Sequence, residues 1–535
     1  MVLSLFQFIV KILYTLFMEI FELIKNLPVE LAGGDPYGDI SDITSDSRKA
    51  GPGVLFTAFA PLNCDAADGH DFVCDAYERG CTHFLVERIP EGFEDKADVT
   101  VLLAQDTRKA VALLSRRFFD FPEDRLKLIG LVGTKGKTTI SFMLKSIFEK
   151  AGKKIGLIGS NGVIYGDRSY HLPNTTPESY VIHSILKDMA DAGVEYCVLE
   201  ATSQGFMLHR TYGIVFDVSI FTNISPDHIS KTEHESFEDY FECKRRVFSQ
   251  TRLCYVNRDS DRYSEIVAGV PEDKIKTYKH ERDGSFCVPE GTQKEPSLLC
   301  FTARDIRLTQ SGGRPSEVFL CEAPGWTHEM RVNIPGLHNV ENALGAICLA
   351  DHYGIDPEHI ESGLLESVSP EGRMELVDVP APITVFIDYA HNKLSMETMM
   401  ATAKLFEPNR ILCVFGLDGD RAHVRRKDCG EILGRDADYT ILSDTSPRTD
   451  DPDRILAEVA SHIERAGGAG KYEIVHDRHV SIPKILDMAE EGDLVLIVGT
   501  GDRQEMVVQG KIIPINEREI IMDHFAGKEK GAQHG

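Results

Sequence analysis

Short apolar runs recur along this chain, and between them lie stretches whose apolar residues repeat at helical spacing. Leu128-Ile-Gly-Leu-Val132 breaks into Gly133-Thr-Lys-Gly-Lys-Thr-Thr139, and a helical pattern follows over Ile140–Lys150. The runs Ile155–Ile158, Tyr196–Leu199 and Val218–Phe221 come next, with a second helical pattern over Ser179–Ala190. Uninterrupted apolar strands alternating with amphipathic helices predict a parallel α/β sheet covered on both faces. Residues 283–333 are richer in Gly, Pro and alternating positions, which predicts a local antiparallel insert. From Gly372 a second set begins, with strands at Thr384–Asp388, Ile411–Phe415, Tyr439–Leu442 and Leu494–Val498, and reads as a smaller doubly wound domain.

These patterns divide the chain into an N-terminal domain over 18–125, a central domain over 126–367 and a C-terminal domain over 368–535. The first boundary falls at the turn-like Phe121-Pro-Glu-Asp124. Ahead of them, residues 1–17 form an apolar extension interrupted by Gln7 and Lys11, with no basic leader and no small-residue cleavage site. It fits neither a secretory signal nor a spanning helix. Two readings stand: an extension upstream of a start at Met18, which is favoured, and a contact with a membrane surface. Met18–Leu27 predicts an amphipathic helix with Ile20, Phe21, Ile24 and Leu27 on one face.

Composition narrows the classes. A chain of 535 residues with 42% apolar content has room for about three cores. Its net charge of −26 argues against a nucleic-acid scaffold, which needs clustered cations. Twelve cysteines without a Cys-x-x-Cys pair read as reduced thiols of a cytoplasmic protein, with neither a zinc site nor a disulfide framework.

Chemistry concentrates at strand ends. The glycine loop behind Val132 can turn backbone N–H groups toward phosphate oxygens, and a helix N-terminus adds partial positive charge. Lys137 would reach the terminal phosphates and Thr138 could offer a hydroxyl to Mg²⁺. The full phosphate-loop pattern asks for glycine at the position of Leu131, so the loop alone is a moderate signal for ATP. Glu200 closes the strand Tyr196–Leu199; it is either a magnesium-side acid or an ordinary surface glutamate. Phe221-Thr-Asn-Ile-Ser-Pro-Asp-His228 sets further ligands at another strand end. The amphipathic stretch Phe237–Phe248 carries Lys244, and a lysine on a helix is ordinarily a solvated charge.

Taken in order, Gly133–Thr139, Asn174-Thr-Thr-Pro177, Glu200-Ala-Thr-Ser203, Thr222-Asn223 through Asp227-His228, Lys244, Gly336-Leu-His-Asn339-Val-Glu-Asn342, Gly372-Arg-Met-Glu375, Asp388-Tyr-Ala-His391 and Phe415-Gly-x-x-Gly-Asp-Arg421 resemble the Mur ligase family. The resemblance runs from about Met18 to about residue 515. Thr44–Ala58 and Asp68–Phe72 look like the uridine-nucleotide domain of its third and fourth ligases, and Asn-Thr-Thr-Pro and Gly-Arg-Met-Glu favour the third. The resemblance implies an ATP-dependent amide ligase adding an amino acid to UDP-N-acetylmuramoyl-L-alanyl-D-glutamate through an acyl phosphate, in peptidoglycan precursor synthesis. The alternative is the fourth ligase, or a Mur-like ligase of a specialised pathway. The resemblance also implies ATP, Mg²⁺ and small-molecule substrates; the acidic charge speaks against a nucleic-acid partner, and a monomer is expected.

Residue by residue, the resemblance assigns Gly133, Thr134, Lys135, Gly136, Lys137, Thr138, Thr139, Asn339, Arg373 and Asp388 to ATP. Thr138, Glu200, His228 and Lys244 would form the metal environment, Lys244 as a carbamate derived from CO₂, with Lys137, Lys244 and His228 catalytic. Ser47 would touch the uridine diphosphate, and Asn174, Thr175, Thr176, Thr202 and Arg210 the muramoyl dipeptide. Arg421, Ser446, Arg448, Gly499 and Arg503 would receive the amino acid. This pocket departs from the diaminopimelate-adding pattern. Thr445-Ser446 stands for Asp-Asn, and Asp502-Arg503 for His-Glu. Arg448 and Arg503 together favour an incoming amino acid whose side chain is not cationic.

Overall fold

The computed structural model describes residues 18–61, 67–93, 96–226, 234–281, 300–311, 314–420, 423–508 and 511–532. Its contacts divide the chain into two units. One comprises the chain up to Thr134 with Lys153–Cys254 and Ser264–Ile275; the other comprises Lys135–Gly152, Tyr255–Tyr263 and everything from Lys276 onward.

The first unit begins with a five-stranded sheet. Its strands are β1 (Glu30–Gly33), β2 (Asp42–Thr44), β3 (Val54–Thr57), β4 (His83–Val86) and β5 (Thr100–Leu103), in the order β1-β5-β4-β3-β2. All neighbours are parallel except β1 with β5. Helix α1 (Thr107–Phe118) starts at Asp106, whose side chain accepts from Lys109 N, and buries Ala110, Val111 and Leu114. The expected N-terminal helix is shorter than its pattern. Met18–Glu19 pairs with Asp39–Ile40 as strand, only Ile20–Ile24 is helical, and Asn26 adopts a left-handed φ of 58° that ends the turn. Ile20 and Leu23 are the buried pair, whereas Phe21, placed on the buried face by spacing, is 48% exposed.

β6 (Lys127–Val132) then leads through the glycine loop to α2 (Lys137–Lys150), which belongs to the second unit. Back in the first unit come β7 (Ile155–Gly159), β8 (Gly162–Tyr165), β9 (Arg168–Tyr170), α3 (Ser179–Asp191), β10 (Tyr196–Glu200), β11 (Val218–Phe221) and α4 (Phe237–Arg245). The order is β9-β8-β7-β10-β6-β11, with β7, β10, β6 and β11 parallel. Every residue of β7 and β11 is buried, which is why these strands read as unbroken apolar runs.

In the second unit, β12 (Lys276–His280, the part of Ile275–His280 in this unit) pairs parallel with β13 (Cys300–Ser311), and β13, β14 (Arg314–Ala323) and β15 (Trp326–Val332) form an antiparallel ribbon. The parts of the expected insert over 283–299 and 312–313 lie outside the described residues. Helices α5 (Leu337–His352) and α6 (Pro357–Glu366) pack against α2, where Gly363 lets the backbones approach. The C-terminal sheet contains β16 (Glu375–Val377), β17 (Thr384–Asp388), β18 (Ile411–Phe415), β19 (Tyr439–Leu442), β20 (Tyr472–Ile474) and β21 (Leu494–Val498), in the order β16-β17-β21-β18-β19-β20. Only β16 is antiparallel, and all four strands read from the sequence are present at the expected residues. Helices α7 (Lys393–Lys404), α8 (Val424–Asp436) and α9 (Pro452–Ile463) bury one apolar cluster, and α10 (Arg478–Met488) and α11 (Glu517–Ala532) another. Among the described residues, no helix is long and apolar enough to cross a membrane.

Candidate active site

Gly133 takes φ 145° and Gly136 φ 88°, conformations that only glycine adopts without strain. A Cβ on Gly133 would overlap the Thr222 hydroxyl, and one on Gly136 the side-chain oxygen of Asn342. Gly136 caps α2 and has no side chain of its own to bond the N–H groups of the first turn. Other helices here are capped by Asp106, Ser236 or Asn392. Lys137, Thr138 and Thr139 are the first three residues of that turn, a fitting arrangement for phosphate oxygens.

The first half of the loop is held within the first unit. Thr134 N donates to Asn223 O at 3.0 Å, its hydroxyl shares a hydrogen bond with Tyr240 at 2.9 Å, and Ser225 N donates to that hydroxyl at 3.1 Å. Thr134, expected at the nucleotide, also anchors the loop through these bonds. Lys244 is buried rather than solvated, at 2% exposure, and its Nζ donates to Gly133 O at 2.9 Å. Tyr240, one helical turn earlier on α4, lies with its ring centroid 4.7 Å from the same Nζ. The i, i+4 spacing of Tyr240 and Lys244 is the sequence signal for this pairing.

Glu200 is likewise no surface acid: it is 1% exposed, and Ser160 N and the Ser160 hydroxyl donate to its two oxygens at 3.1 and 3.3 Å. Thr175 shares a hydrogen bond with that hydroxyl at 3.2 Å. The Thr176 hydroxyl donates to Glu200 O at 2.7 Å and accepts from Thr202 N at 3.0 Å, while Thr202 caps Ser203–Met207. Arg210 donates to Thr176 O at 2.9 Å and pairs with Glu178 at 2.7 Å. The structure thus joins Thr175, Thr176, Thr202 and Arg210 to the Glu200 strand end, with Asn174 exposed beside them. Ser47 opens a short helical turn capped by Asp46. His228 and Arg421 lie outside the described residues.

In the second unit, the buried Asn339 accepts from Asn342 Nδ2 at 3.3 Å and donates to Pro335 O at 3.2 Å. Asp388 ends β17, accepting from Met374 N and Ala390 N at 2.7 Å each. Burial raises its carboxyl above the ordinary aspartate range, against the opposing pull of Arg373 and Lys135. Gly499, at φ 115°, donates its N–H to Asp388 O at 3.0 Å. The guanidinium carbons of Arg373 and Arg503 each lie 4.9 Å from the centre of the Tyr389 ring. Arg503 also donates to the Tyr389 hydroxyl and pairs with Asp418 at 2.8 Å, so its charge is already compensated. Ser446 accepts from Val507 N at 3.1 Å, and Arg448 holds a left-handed φ of 55° with its N–H on Val507 O. Ser160, Glu178, Tyr389 and Asp418 were not singled out from the sequence. Only the position of Tyr389 directly after Asp388 could have drawn attention to any of them.

A model of the Mur ligase middle domain matches residues 131–350, and one of the Mur ligase glutamate ligase domain matches residues 372–501. The UDP-N-acetylmuramoyl-L-alanyl-D-glutamate--2,6-diaminopimelate ligase of Clostridium perfringens (strain 13 / Type A) is 35% identical over 508 residues, covering 95% of this chain and 99% of that protein. A protein of the same name from Geobacillus thermodenitrificans is 33% identical, covering 91% and 95%. Among solved structures, one UDP-N-acetylmuramoyl-L-alanyl-D-glutamate--2,6-diaminopimelate ligase superposes with a TM-score of 0.64 at 23% identity, over 96% of this chain and 99% of the other. MurF from Acinetobacter baumannii does so at 0.59 and 19%, over 90% and 95%; at these identities both speak for the fold alone.

Proposed function

This chain belongs to the Mur ligase family of ATP-dependent ligases, and we propose that it joins an amino acid to the glutamyl carboxylate of UDP-N-acetylmuramoyl-L-alanyl-D-glutamate. A carboxylate is a poor electrophile. Transfer of the terminal phosphate of ATP to it gives an acyl phosphate, which the incoming amine attacks with loss of phosphate. The observation that carries the reading is the glycine loop that leaves β6, with a buried lysine bonded to Gly133 O and a buried glutamate on the neighbouring strand β10.

In this reading Lys135, Lys137, Thr138 and Thr139 bind the phosphates, and Asn339, Arg373 and Asp388 hold the nucleoside end. Thr138, Glu200, His228 and Lys244 would surround Mg²⁺, which as a hard cation supplies charge neutralisation at the transferring phosphate. Carbamylation would turn Lys244 from a cation into an anionic oxygen donor. Ser160 orients Glu200 through its two hydrogen bonds. Ser47, Asn174, Thr175, Thr176, Thr202 and Arg210 serve the UDP-muramoyl dipeptide. For the last three this works through the internal bonds that shape the strand end.

Two readings of the amine follow from different observations. The relatives' names make 2,6-diaminopimelate the first amine to test. Arg448 and Arg503 favour an amino acid without a distal cation, an effect that Asp418 reduces by pairing with Arg503. Phosphate release with ATP, the UDP-muramoyl dipeptide and a panel of amino acids distinguishes them. A clear preference for lysine or diaminopimelate ends the second reading, and no ADP with any amine ends the ligase assignment.

A further inference from the structure

Arg478 has no exposed surface and is among the largest fully buried side chains of the protein. It opens α10, and its Nη2 lies 2.5 Å from Glu517 Oε1 at the start of α11 and 3.2 Å from Val498 O at the end of β21. Glu517 is also buried. Among the described residues, Nε and Nη1 of Arg478 and Oε2 of Glu517 have no hydrogen-bond partner. A buried ion pair loses the hydration of both charges and regains it only when every donor and acceptor is satisfied. This one is not. Stability is therefore a poor account of its presence, and apolar residues of similar volume should hold the three elements together at least as well.

The place where the pair converges suggests another role. The turn Gly499–Gly501 has glycine at both ends, at φ 115° and 63°, so its backbone has little intrinsic preference for one shape. Thr500 is its only side chain, fully buried, and donates its hydroxyl to the same Glu517 Oε1 that Arg478 holds. On either side of Thr500 the turn meets groups assigned above. Gly499 N donates to Asp388 O, and Arg503 N donates to Thr500 O at 3.4 Å before its guanidinium reaches Asp418 and Tyr389.

We propose that Arg478 and Glu517 are positioning residues for the amine pocket, holding Thr500 and, through it, the backbone that presents Arg503. Neither side chain touches a substrate. This rests on the acceptor pocket of the proposed ligase reaction. Three forms of the full chain test it: Thr500→Val, which keeps shape and loses the hydroxyl, Thr500→Ser, which keeps the hydroxyl, and the double variant Arg478→Met/Glu517→Leu. Steady-state ADP formation gives KM for amine and for ATP, and thermal melting reports folding.

Thr500→Val raises the amine KM about tenfold, the loss expected of one buried hydrogen bond, while the ATP KM stays within about twofold. Thr500→Ser restores the wild-type amine KM. The double variant melts at or above the wild-type temperature and shows the same amine defect. An unchanged amine KM in Thr500→Val, or equal losses for amine and ATP, overturns the proposal even if the double variant fails to fold. A wild type that forms ADP while Thr500→Val keeps its amine KM removes this inference and leaves the ligase reading intact; a wild type that forms none removes both.

Discussion

Gly133→Ala probes whether the glycine loop must hold the shape seen here. At φ 145° an alanine backbone sits in territory that essentially only glycine occupies, at about 1–3 kcal/mol. The added methyl would overlap the Thr222 hydroxyl, and it would lie 3.1 Å from Thr222 Cβ and 3.2 Å from Asn223 N. Thr222 is 2% exposed, so it has little room to move, and overpacking of this kind costs about 1–3 kcal/mol more. The cheapest escape is a shift of the loop, which would also displace the carbonyl that Lys244 bonds. If about 3 kcal/mol of the sum falls on the nucleotide-competent loop, ATP affinity drops roughly 100-fold. Calorimetric titration with ATP measures it. Gly133→Ala/Thr222→Ala removes the overlap but not the φ penalty, so it should recover part of the loss. Gly152→Ala is the control: φ is 69°, nothing lies within 4 Å, and it should lower stability slightly without touching ATP affinity. Gly133→Ala binding ATP within about twofold of wild type would refute the reasoning.

Gly363→Ala brings a methyl to 2.7 Å from Ile147 N across the α2–α6 contact, and because the obstacle is backbone the denaturant midpoint should fall by an equivalent of about 1–3 kcal/mol. With ¹³C-bicarbonate the wild type shows a carbamate carbon resonance that Lys244→Ala lacks, and that variant loses about 100-fold or more in ADP formation; the same resonance in the variant would exclude Lys244 as its carrier. Hydrogen bonds from Arg48 hold the Asp46 carboxyl down at about 2. Because its folded value lies below its unfolded one, its contribution is complete above the ordinary aspartate range and is lost as pH falls through about 2. Carbon-detected NMR should find that titration, and Arg48→Ala should return it to the ordinary range. Arg503→Gln frees the Asp418 carboxylate and should raise kcat/KM for lysine relative to an uncharged amino acid; no change in that ratio removes Arg503 as a determinant.

The sequence by itself determined the strands and their layering. The run Leu494–Val498 is apolar at every position because helices cover both faces of the C-terminal sheet, and that constraint is written locally. It also marked the loop at Gly133–Thr139 and the strand-end positions of Glu200 and Asp388, since glycine freedom and β–α junctions are properties of neighbouring residues. What a side chain does once it arrives depends on residues far along the chain, and that only the tertiary structure decided. Lys244 and Glu200, which read locally as solvated charges, are buried because Gly133 and Ser160 come to meet them. Arg503 reads as a bare cation until Asp418, 85 residues earlier, is found beside it. Phe21 keeps helical spacing yet faces solvent, because the strand pairing of Met18–Glu19 shortens its helix to one in which Ile20 and Leu23 face the core. Periodicity fixes which residues share a face; long-range packing chooses which face is covered and which charges are paired.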